Sequence, residues 1–196
     1  MQKFPLFFIF CLLFVVLTAS LARADWVLEA ENSHLSFGSI KKNTIGEVNH
    51  FTNIDSRIST NGTITLTIDL SSVETWIDIR NDRIRKYLWQ TDRFPLATLR
   101  GTIDLAEFEK LAPGESLVID TTFTLSLHGT ERAIESELRV VRLAKDRVMV
   151  LPHELIFLDA ENFGLLSGLL KLQELAGLPS ISTAVPISFY LTYQKD

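Results

Sequence analysis

The sequence has few of the residues that stabilise a chain covalently or equip it for metal chemistry. Its 196 residues include one cysteine, Cys11, so an intramolecular disulfide and a zinc site built from several cysteines are excluded. Basic residues are also in deficit, with 19 Lys and Arg against 24 Asp and Glu. Because nucleic-acid binding depends on basic side chains that neutralise phosphates, nucleic acid is excluded as a leading partner. Only nine glycines and six prolines are present, which excludes collagen-like and low-complexity classes and predicts one ordinary globular domain.

An apolar segment precedes the part of the chain that is expected to fold. Lys3 is followed by an apolar run over residues 4–19, and Ala22-Arg23-Ala24 then matches the A-x-A pattern of a signal-peptidase site. We therefore predict that residues 1–24 are a cleaved signal peptide and that residues 25–196 form a single domain. An uncleaved membrane anchor is the alternative, since about 18 apolar residues are enough to span a bilayer.

Alternation of apolar and polar residues predicts that the mature chain is mainly β-structure. Residues 63–70 alternate strictly, with Ile64, Leu66 and Ile68 on one face and threonines on the other. The clear period-two segments are 63–70, 97–105, 121–128 and 185–193. The weaker ones are 26–30, 33–40, 55–59, 136–142, 147–151 and 155–158. Many short strands separated by turn signals such as Asn61-Gly62 predict a barrel or a sandwich.

Two segments interrupt the strand pattern and are predicted to be short helices. Residues 77–89 carry apolar side chains at near-helical spacing among several arginines, which is typical of an amphipathic helix. Residues 165–176 contain six leucines and are followed by Gly177 and Pro179, which commonly end helices. This leucine-rich segment is too apolar for a solvated helix, so we expect it either to pack against the sheet or to guard an apolar opening.

The sequence contains no arrangement of residues typical of catalysis or metal binding. The four histidines lack metal-ligand spacing, and the H-E-x-x-H pattern that begins at His153 fails because Phe157 stands at its last position. The serine between Gly164 and Gly168 is one position away from that of a nucleophile elbow. We therefore expect no enzymatic activity, no metal and no cofactor, and a structural or surface role for the histidines.

The apolar faces of the strands are expected to point into the interior of a closed sheet. An interior of about eight strands is just wide enough to be filled by side chains or to hold one slender ligand. The pattern of residues leaves both states open.

Motifs spread over the mature chain carry a family resemblance. Ser72-Val73-Glu74-Thr75 is followed by an Arg- and Asp-rich segment, Arg80 to Arg85, and then by Phe94-Pro95-x-Ala97. Further matches are Ser33-x-Leu35-x-Phe37, Phe51, Leu125-x-Leu127-x-Gly129 and Asn162-Phe163-Gly164. Together these motifs resemble the YceI-like family of secreted lipid-binding proteins.

The resemblance implies an all-β fold, an eight-stranded lipocalin-like barrel with one or two short helices, in the periplasm. It also implies that the lumen binds a long isoprenoid-type lipid, polyprenyl or quinone-like. The candidate lumen residues are Phe37, Ile64, Leu66, Ile68, Leu99, Ile103, Phe123, Leu125, Phe157, Val185, Ile187 and Phe189. The candidate rim and head-group residues are Trp76, Arg80, Arg83, Ile84, Arg85, Leu88 and Phe94. The arginines match phosphate geometry, although a solvated helix face is the alternative interpretation of them.

Two functions of different class follow from these expectations. The first is non-catalytic binding, transport or storage of an isoprenoid-type lipid, with transient contact to a membrane or membrane protein. The second is a structural or interaction module that docks a membrane protein or partner through the leucine-rich segment 165–176. Whether the chain forms a homodimer is left open by the sequence.

Overall fold

The computed structural model describes residues 24–196, and this part of the chain is built mainly from antiparallel strands. Its strands are β1 (Trp26–Leu28), β2 (His34–Lys41), β3 (Ile45–Phe51), β4 (Ile54–Ile58), β5 (Thr63–Asp69), β6 (Val73–Glu74), β7 (Leu96–Thr102), β8 (Ser116–Leu127), β9 (Thr130–Ala144), β10 (Arg147–Pro152), β11 (Ile156–Asp159) and β12 (Ala184–Lys195). Its helices are α1 (Asp78–Arg83), α2 (Leu105–Glu109) and α3 (Leu166–Ala176), with a π-helical turn at Ile84–Trp89 directly after α1.

Eight strands close into a barrel. Hydrogen bonds connect β1, β4, β5, β7, β8, β9, β10 and β12 in that order, and β12 pairs back with β1. β12 is long enough to pair with β1 and β10 in its C-terminal half and with β2 and β11 in its N-terminal half. β2, β3 and β6 extend the wall beside the N-terminal half of β12. The predicted all-β fold, an eight-stranded lipocalin-like barrel, is therefore confirmed.

Register places the apolar face of each strand inside. Leu66 of β5 lies opposite Leu99 of β7, which lies opposite Leu125 of β8, so three strands contribute leucines to one inner layer. The threonines of β5 alternate with these positions, and Thr63 is exposed. The period-two pattern of the sequence thus separates lumen from solvent, as expected for a half-buried strand.

α2 covers one end of the barrel, which we call the closed end. Phe108 of α2 lies 5.3 Å from the Trp26 ring, and the Arg142 guanidinium lies 5.2 Å from both rings. Arg142 is buried, and it donates to the carbonyl oxygens of Phe108 (2.7 Å) and Lys145 (3.3 Å). Cation–π contacts and carbonyl bonds therefore hold this charge in the packed end.

α1, the π-helical turn and α3 lie together at the other end, which we call the open end. Leu165, just before α3, and Leu169 on α3 are buried in a cluster that includes Leu88 of the π-helical turn. The leucine-rich segment thus packs against the chain itself, one of the two arrangements expected for it. Gly168 permits the close approach, because a Cβ there would stand 2.5 Å from the Tyr87 carbonyl oxygen.

The structure differs from the strand predictions at two places. Residues 97–105 are not a single strand, since β7 ends at Thr102 and the Asp104 carboxylate caps a third helix, α2, by accepting from Ala106 N at 2.8 Å. β3 was not predicted, because Ile45–Phe51 does not alternate. The turn before it uses Lys42 and Asn43, both with positive φ, in place of the glycine that usually marks a type I′ hairpin.

Within the described residues, no helix has the length and apolar character needed to cross a membrane. The predicted signal peptide, apart from Ala24, lies outside those residues.

Candidate functional site

A cavity of about 550 Å³ occupies the barrel interior, and its lining is almost entirely apolar. The barrel is therefore hollow, which decides between the two states that the sequence left open. Eleven predicted lumen residues line the cavity: Phe37, Ile64, Leu66, Ile68, Leu99, Ile103, Phe123, Leu125, Val185, Ile187 and Phe189. Ten of them come from five strands, Ile103 follows directly after β7, and the period-two pattern is the signal that identified them.

Phe157 does not line the cavity, and this prediction was wrong. Its side chain is 58% exposed on the outer face of β11. Ile156 and Leu158, the neighbours on either side, line the cavity instead. Successive side chains of a strand point to opposite faces, so an error of one residue in the register of this short strand selects the wrong face.

Several lining residues were missed, some of them because they belong to elements whose sequence pattern is weak or absent. Phe51 lies on the unpredicted β3 and Phe108 on the unpredicted α2, and both line the cavity. Ile119, Leu138 and Val140 also line it, from the parts of β8 and β9 near the closed end. The alternation of apolar and polar residues along β8 and β9 is sufficient to identify these last three as lining residues.

The closed end of the cavity contains a buried hydroxyl pair. Tyr193 lines the cavity, and its hydroxyl lies 2.9 Å from that of Ser56. Burial raises the pKa of Tyr193 to about 12, against which the Ser56 hydrogen bond acts weakly. The tyrosine is therefore neutral at physiological pH, and the closed end carries no charge from it.

The mouth of the cavity lies at the open end. Ile77 and Ile79 line the cavity and are also exposed, so they mark where its lining reaches solvent. Arg80, Arg83 and Ala176 of the neighbouring helices also line the cavity. The mouth is thus formed by α1 together with the end of α3.

Four of the seven predicted rim residues line the cavity: Arg80, Arg83, Ile84 and Leu88. Trp76, Arg85 and Phe94 are not among the residues that line it. Trp76 is 78% exposed on the outside, with its ring 5.3 Å from that of His50. Arg85 donates to the backbone oxygens of Ser71 (2.6 Å) and Val73 (3.4 Å).

Phe94 instead packs against the β8–β9 hairpin, with its ring 4.5 Å from that of His128. The positive φ of Trp76 and the backbone contacts of Arg85 direct them elsewhere.

The two arginines of the mouth differ in their charge partners. Arg80 donates to Glu47 at 2.8 Å, and Lys41 pairs with the same carboxylate. Burial tends to raise the pKa of Glu47, but the Lys41 and Arg80 cations outweigh it and hold the pKa below its ordinary value. Arg83 donates to the carbonyl oxygen of Leu175 at 3.3 Å. Within the described part of the chain it has no carboxylate partner, so its charge is available to an anion at the mouth.

Two of the histidines form a ring contact on the outside of the barrel wall. His34 and His50 lie 5.4 Å apart on the outer face of β2 and β3, beside Tyr190 and Trp76. Burial and the charge of His50 lower the pKa of His34, which favours a neutral ring. No group of three or more His, Cys, Asp or Glu residues between positions 24 and 196 is arranged to hold a metal ion.

One wall of the cavity combines aromatic rings with polar atoms. The ring centroids of Phe37 and Phe51 are 5.2 Å apart, and Trp89 lies 6.1 and 6.3 Å from them. Asn49 lies opposite Phe37 in the β2–β3 register and also lines the cavity. The side-chain oxygen Oδ1 of Asn49 and the indole Nε1 of Trp89 are both buried without a hydrogen-bond partner.

A closed β-barrel with an apolar lumen, capped at one end and open at the other, defines a lipocalin-like small-ligand-binding protein. The YceI-like domain model matches residues 26–193, and the chain belongs to that family. No curated protein matches the chain at a significant level.

Solved structures share the fold. A polyisoprenoid-binding domain from Saccharophagus degradans, described as implicated in plant cell wall breakdown, is 40% identical, with a TM-score of 0.86 over 89% of this chain and 99% of that one. Burkholderia cenocepacia BcnA is 16% identical, with a TM-score of 0.66 over 84% of this chain and 98% of that one. The Campylobacter jejuni YCEI protein is 12% identical, with a TM-score of 0.50 over 76% and 84%. The last two similarities concern the fold alone.

Proposed function

We propose that this protein binds an isoprenoid-type lipid in its lumen and carries or stores it without chemical change. The observation that carries the proposal is the apolar cavity of about 550 Å³, capped by α2 and reaching solvent at α1. This volume lies within the range of about 300–1,000 Å³ typical of small-molecule sites. The 40% identical domain from Saccharophagus degradans, described as polyisoprenoid-binding, supports the same class of ligand.

The lining accounts for binding energetically. An isoprenoid chain consists of methylene, methine and methyl groups, and burial of each methylene contributes about 0.8 kcal/mol. Leucine, isoleucine and phenylalanine side chains supply this environment without hydrogen bonds along the chain. A site of this chemistry needs no catalytic group, which agrees with the family's character as binding proteins.

The mouth supports loading from a membrane surface. Ile77 and Ile79 present exposed apolar side chains beside the opening, and next to them Arg83 offers a positive charge that has no carboxylate partner among residues 24–196. Phosphate groups, on a bilayer or on a charged lipid that stays at the mouth, are suitable partners for this guanidinium. Of the three arginines predicted to contact a head group, we therefore assign this role to Arg83 alone.

We place this activity in the periplasm, after removal of residues 1–24. The basis is the A-x-A pattern of the sequence, and the test is the mass of the protein recovered from the periplasmic fraction. A mature chain beginning at Asp25 is expected, and a chain that retains residues 1–24 in the membrane fraction would contradict the assignment.

Extraction of the purified protein with organic solvent tests the binding proposal. Mass spectrometry of the extract is expected to detect an isoprenoid lipid in near-stoichiometric amount from the wild type. Leu125→Trp places a larger side chain in the lumen and should abolish recovery of the lipid. Thr124→Trp, on the exposed face of the same strand, is the matched control and should retain it. Wild-type protein that yields no lipid and takes up none when refolded with it would refute the proposal.

The alternative function, docking through residues 165–176, is not favoured by a specific observation. Leu165 and Leu169 are buried against the barrel end, and Leu172 lines the cavity. Leu166 and Leu170 are the exposed large hydrophobic residues of this described segment, one helical turn apart. Leu170→Ser combined with Leu166→Ser tests this surface without disturbing the buried face.

A further inference from the structure

Residues 76–79, at the start of α1, present large apolar side chains to solvent. Trp76 is 78% exposed, and Ile77 and Ile79 are 42% and 57% exposed. Because burial of each of these side chains would be favourable, adjacent exposed apolar groups mark a contact surface more often than single ones do. The segment therefore has the composition of a surface that another body covers.

Local contacts hold Trp76 in its exposed position. Its φ of 64° lies in the left-handed region, which is disfavoured for a bulky side chain. The Glu74 carboxylate accepts hydrogen bonds from Trp76 N and from the side chain of the buried Asn81, the latter at 3.0 Å. The indole lies beside His50 on the outer face of β3, with 5.3 Å between ring centroids. A disfavoured conformation that the surroundings maintain is typical of functional segments.

The apolar surface continues on β3. Val48 is 70% exposed and lies two residues from His50, on the same face of that strand. Between them in space, the ion pair of Glu47 with Arg80 (2.8 Å) joins β3 to α1. We define the outer apolar patch as Val48, Trp76, Ile77 and Ile79.

The position of the outer apolar patch indicates what covers it. Ile77 and Ile79 line the cavity as well as facing solvent, so the patch is continuous with the mouth. A bilayer in contact with the patch would let an apolar ligand pass between membrane and lumen without crossing water. Tryptophan is enriched at membrane–water interfaces, because its ring is apolar while its indole N–H can bond to water or head groups.

The charges near the patch are of both signs. Arg83 supplies a positive charge beside the mouth, whereas Glu74 and Asp78 supply negative charges next to Trp76. Such a mixture gives an anionic membrane surface no clear advantage over a neutral one. Burial of the apolar side chains is therefore the main source of affinity.

We infer that the outer apolar patch docks the protein on a lipid bilayer, with Trp76 in the interfacial region and the mouth of the cavity facing the membrane. This inference rests on the proposed function, because the bilayer is the source or the destination of the lumen lipid. It extends the membrane contact beyond the mouth, to Trp76 and Val48.

Tryptophan fluorescence tests the docking directly. Trp76 is the exposed one of the three tryptophans, since Trp26 and Trp89 are buried. Delipidated protein is mixed with vesicles of phosphatidylcholine, alone or with an equal part of phosphatidylglycerol. With both, the emission is expected to shift to shorter wavelength, and brominated phosphatidylcholine should quench it. In Trp76→Asn the quenching should be lost, which excludes Trp89 of the cavity lining as its source.

Unchanged emission without quenching would overturn the inference. A shift of the same size on raising the protein concentration without vesicles would also overturn it, because a second copy of the chain would then cover the patch.

Vesicle flotation measures the affinity of the variants. Trp76→Asn, in which asparagine tolerates the positive φ, and Ile79→Ser should each weaken binding about tenfold. Val118→Ser is the matched control, because Val118 is 39% exposed on β8 near the closed end and lies outside the cavity lining. Its affinity should stay within about twofold of the wild type. Equal losses in Val118→Ser and Ile79→Ser would contradict docking through the patch.

Uptake of geranylgeraniol added without vesicles separates this inference from the proposed function and shows that each variant is folded. A wild type that takes up the alcohol but binds no vesicles would overturn the docking and leave lipid binding intact. A wild type that binds vesicles through the patch but takes up no isoprenoid would refute the proposed function and leave the membrane contact standing.

Discussion

His128 is held in an unusual conformation at the turn between β8 and β9. Its φ is 51°, its ring lies 4.5 Å from that of Phe94, and its Nε2 is buried without a partner. Burial lowers the pKa of His128, the nearby Arg93 acts in the same direction, and a hydrogen bond to the Phe163 backbone opposes both. The folded protein therefore prefers the neutral ring.

This preference predicts a pH dependence of stability. Because the folded-state pKa of His128 is below the unfolded value, its contribution is fully present above the unfolded pKa of about 6.5 and is lost as the pH falls. The free energy of unfolding in urea should thus decrease from pH 7.5 to pH 5.5. His128→Asn, which tolerates a positive φ, should reduce this decrease, and His34 accounts for part of the remainder because its pKa is also lowered. An identical decrease in wild type and variant would contradict this assignment.

The sequence predicted lumen residues well where apolar and polar residues alternate along a strand. It predicted them poorly where contacts outside the strand determine which way a side chain points. Leu66 and Leu125 were found from alternation, whereas the short β11 gave Phe157 in place of Ile156. The roles of the arginines were more difficult to predict. An arginine that pairs with a carboxylate, one that donates to backbone oxygens and one that keeps its charge for a ligand look the same in the sequence. Arg80 pairs with a carboxylate and Arg85 donates to backbone oxygens, whereas Arg83, at the mouth, has no carboxylate partner among the described residues. Such partners come from distant parts of the chain, so the local sequence does not contain them.

At the scale of elements, α3 shows how a helix can depend on a residue of poor helix propensity. Gly168 is buried, and a Cβ at this position would lie 2.5 Å from Tyr87 O and 2.8 Å from Leu88 Cα. Both atoms are backbone of the π-helical turn, which cannot move as a flexible side chain does. The glycine therefore sets the distance between α3 and the segment that carries Leu88 and Trp89 of the cavity lining.

Gly168→Ala is expected to destabilise the protein by about 1–3 kcal/mol, the usual cost of overpacking. This sign is opposite to that of an ordinary helix position, where alanine is favoured over glycine by about 1 kcal/mol. Urea unfolding provides the measurement. Ser167→Ala, at the exposed neighbouring position, is the control and should change stability by less than about 0.5 kcal/mol. A stabilised Gly168→Ala variant would show that α3 can move away from the turn.

For the molecule as a whole, closure of the sheet creates an apolar cavity, and a ligand that fills this cavity is expected to stabilise the folded state. The apolar faces of the strands line a space of about 550 Å³ instead of packing against one another. A ligand that binds the folded state alone stabilises it by mass action, by about 2.7 kcal/mol at a concentration 100 times Kd. The empty barrel is accordingly expected to be less stable than the filled one.

Thermal unfolding measures this difference. For a domain of this size about 1 kcal/mol corresponds to 2–4 °C, so saturation of delipidated protein with geranylgeraniol should raise Tm by roughly 5–10 °C. Leu125→Trp, with its lumen filled by a side chain, should show little change on addition of the same alcohol. A similar rise in both proteins would indicate binding outside the lumen.

The sequence by itself determined the β-barrel class, the family and part of the lumen lining, because strand alternation is a local property and the family motifs extend over nearly the whole of residues 25–196. Only the tertiary structure decided that the barrel is hollow, that Arg83 is the mouth arginine left without a carboxylate among the described residues, and that Asn49 and Trp89 share an aromatic wall. The physical reason is that volume, charge pairing and hydrogen-bond satisfaction depend on groups far apart in the chain. Their positions are fixed once the eight strands close and the helices pack at the two ends.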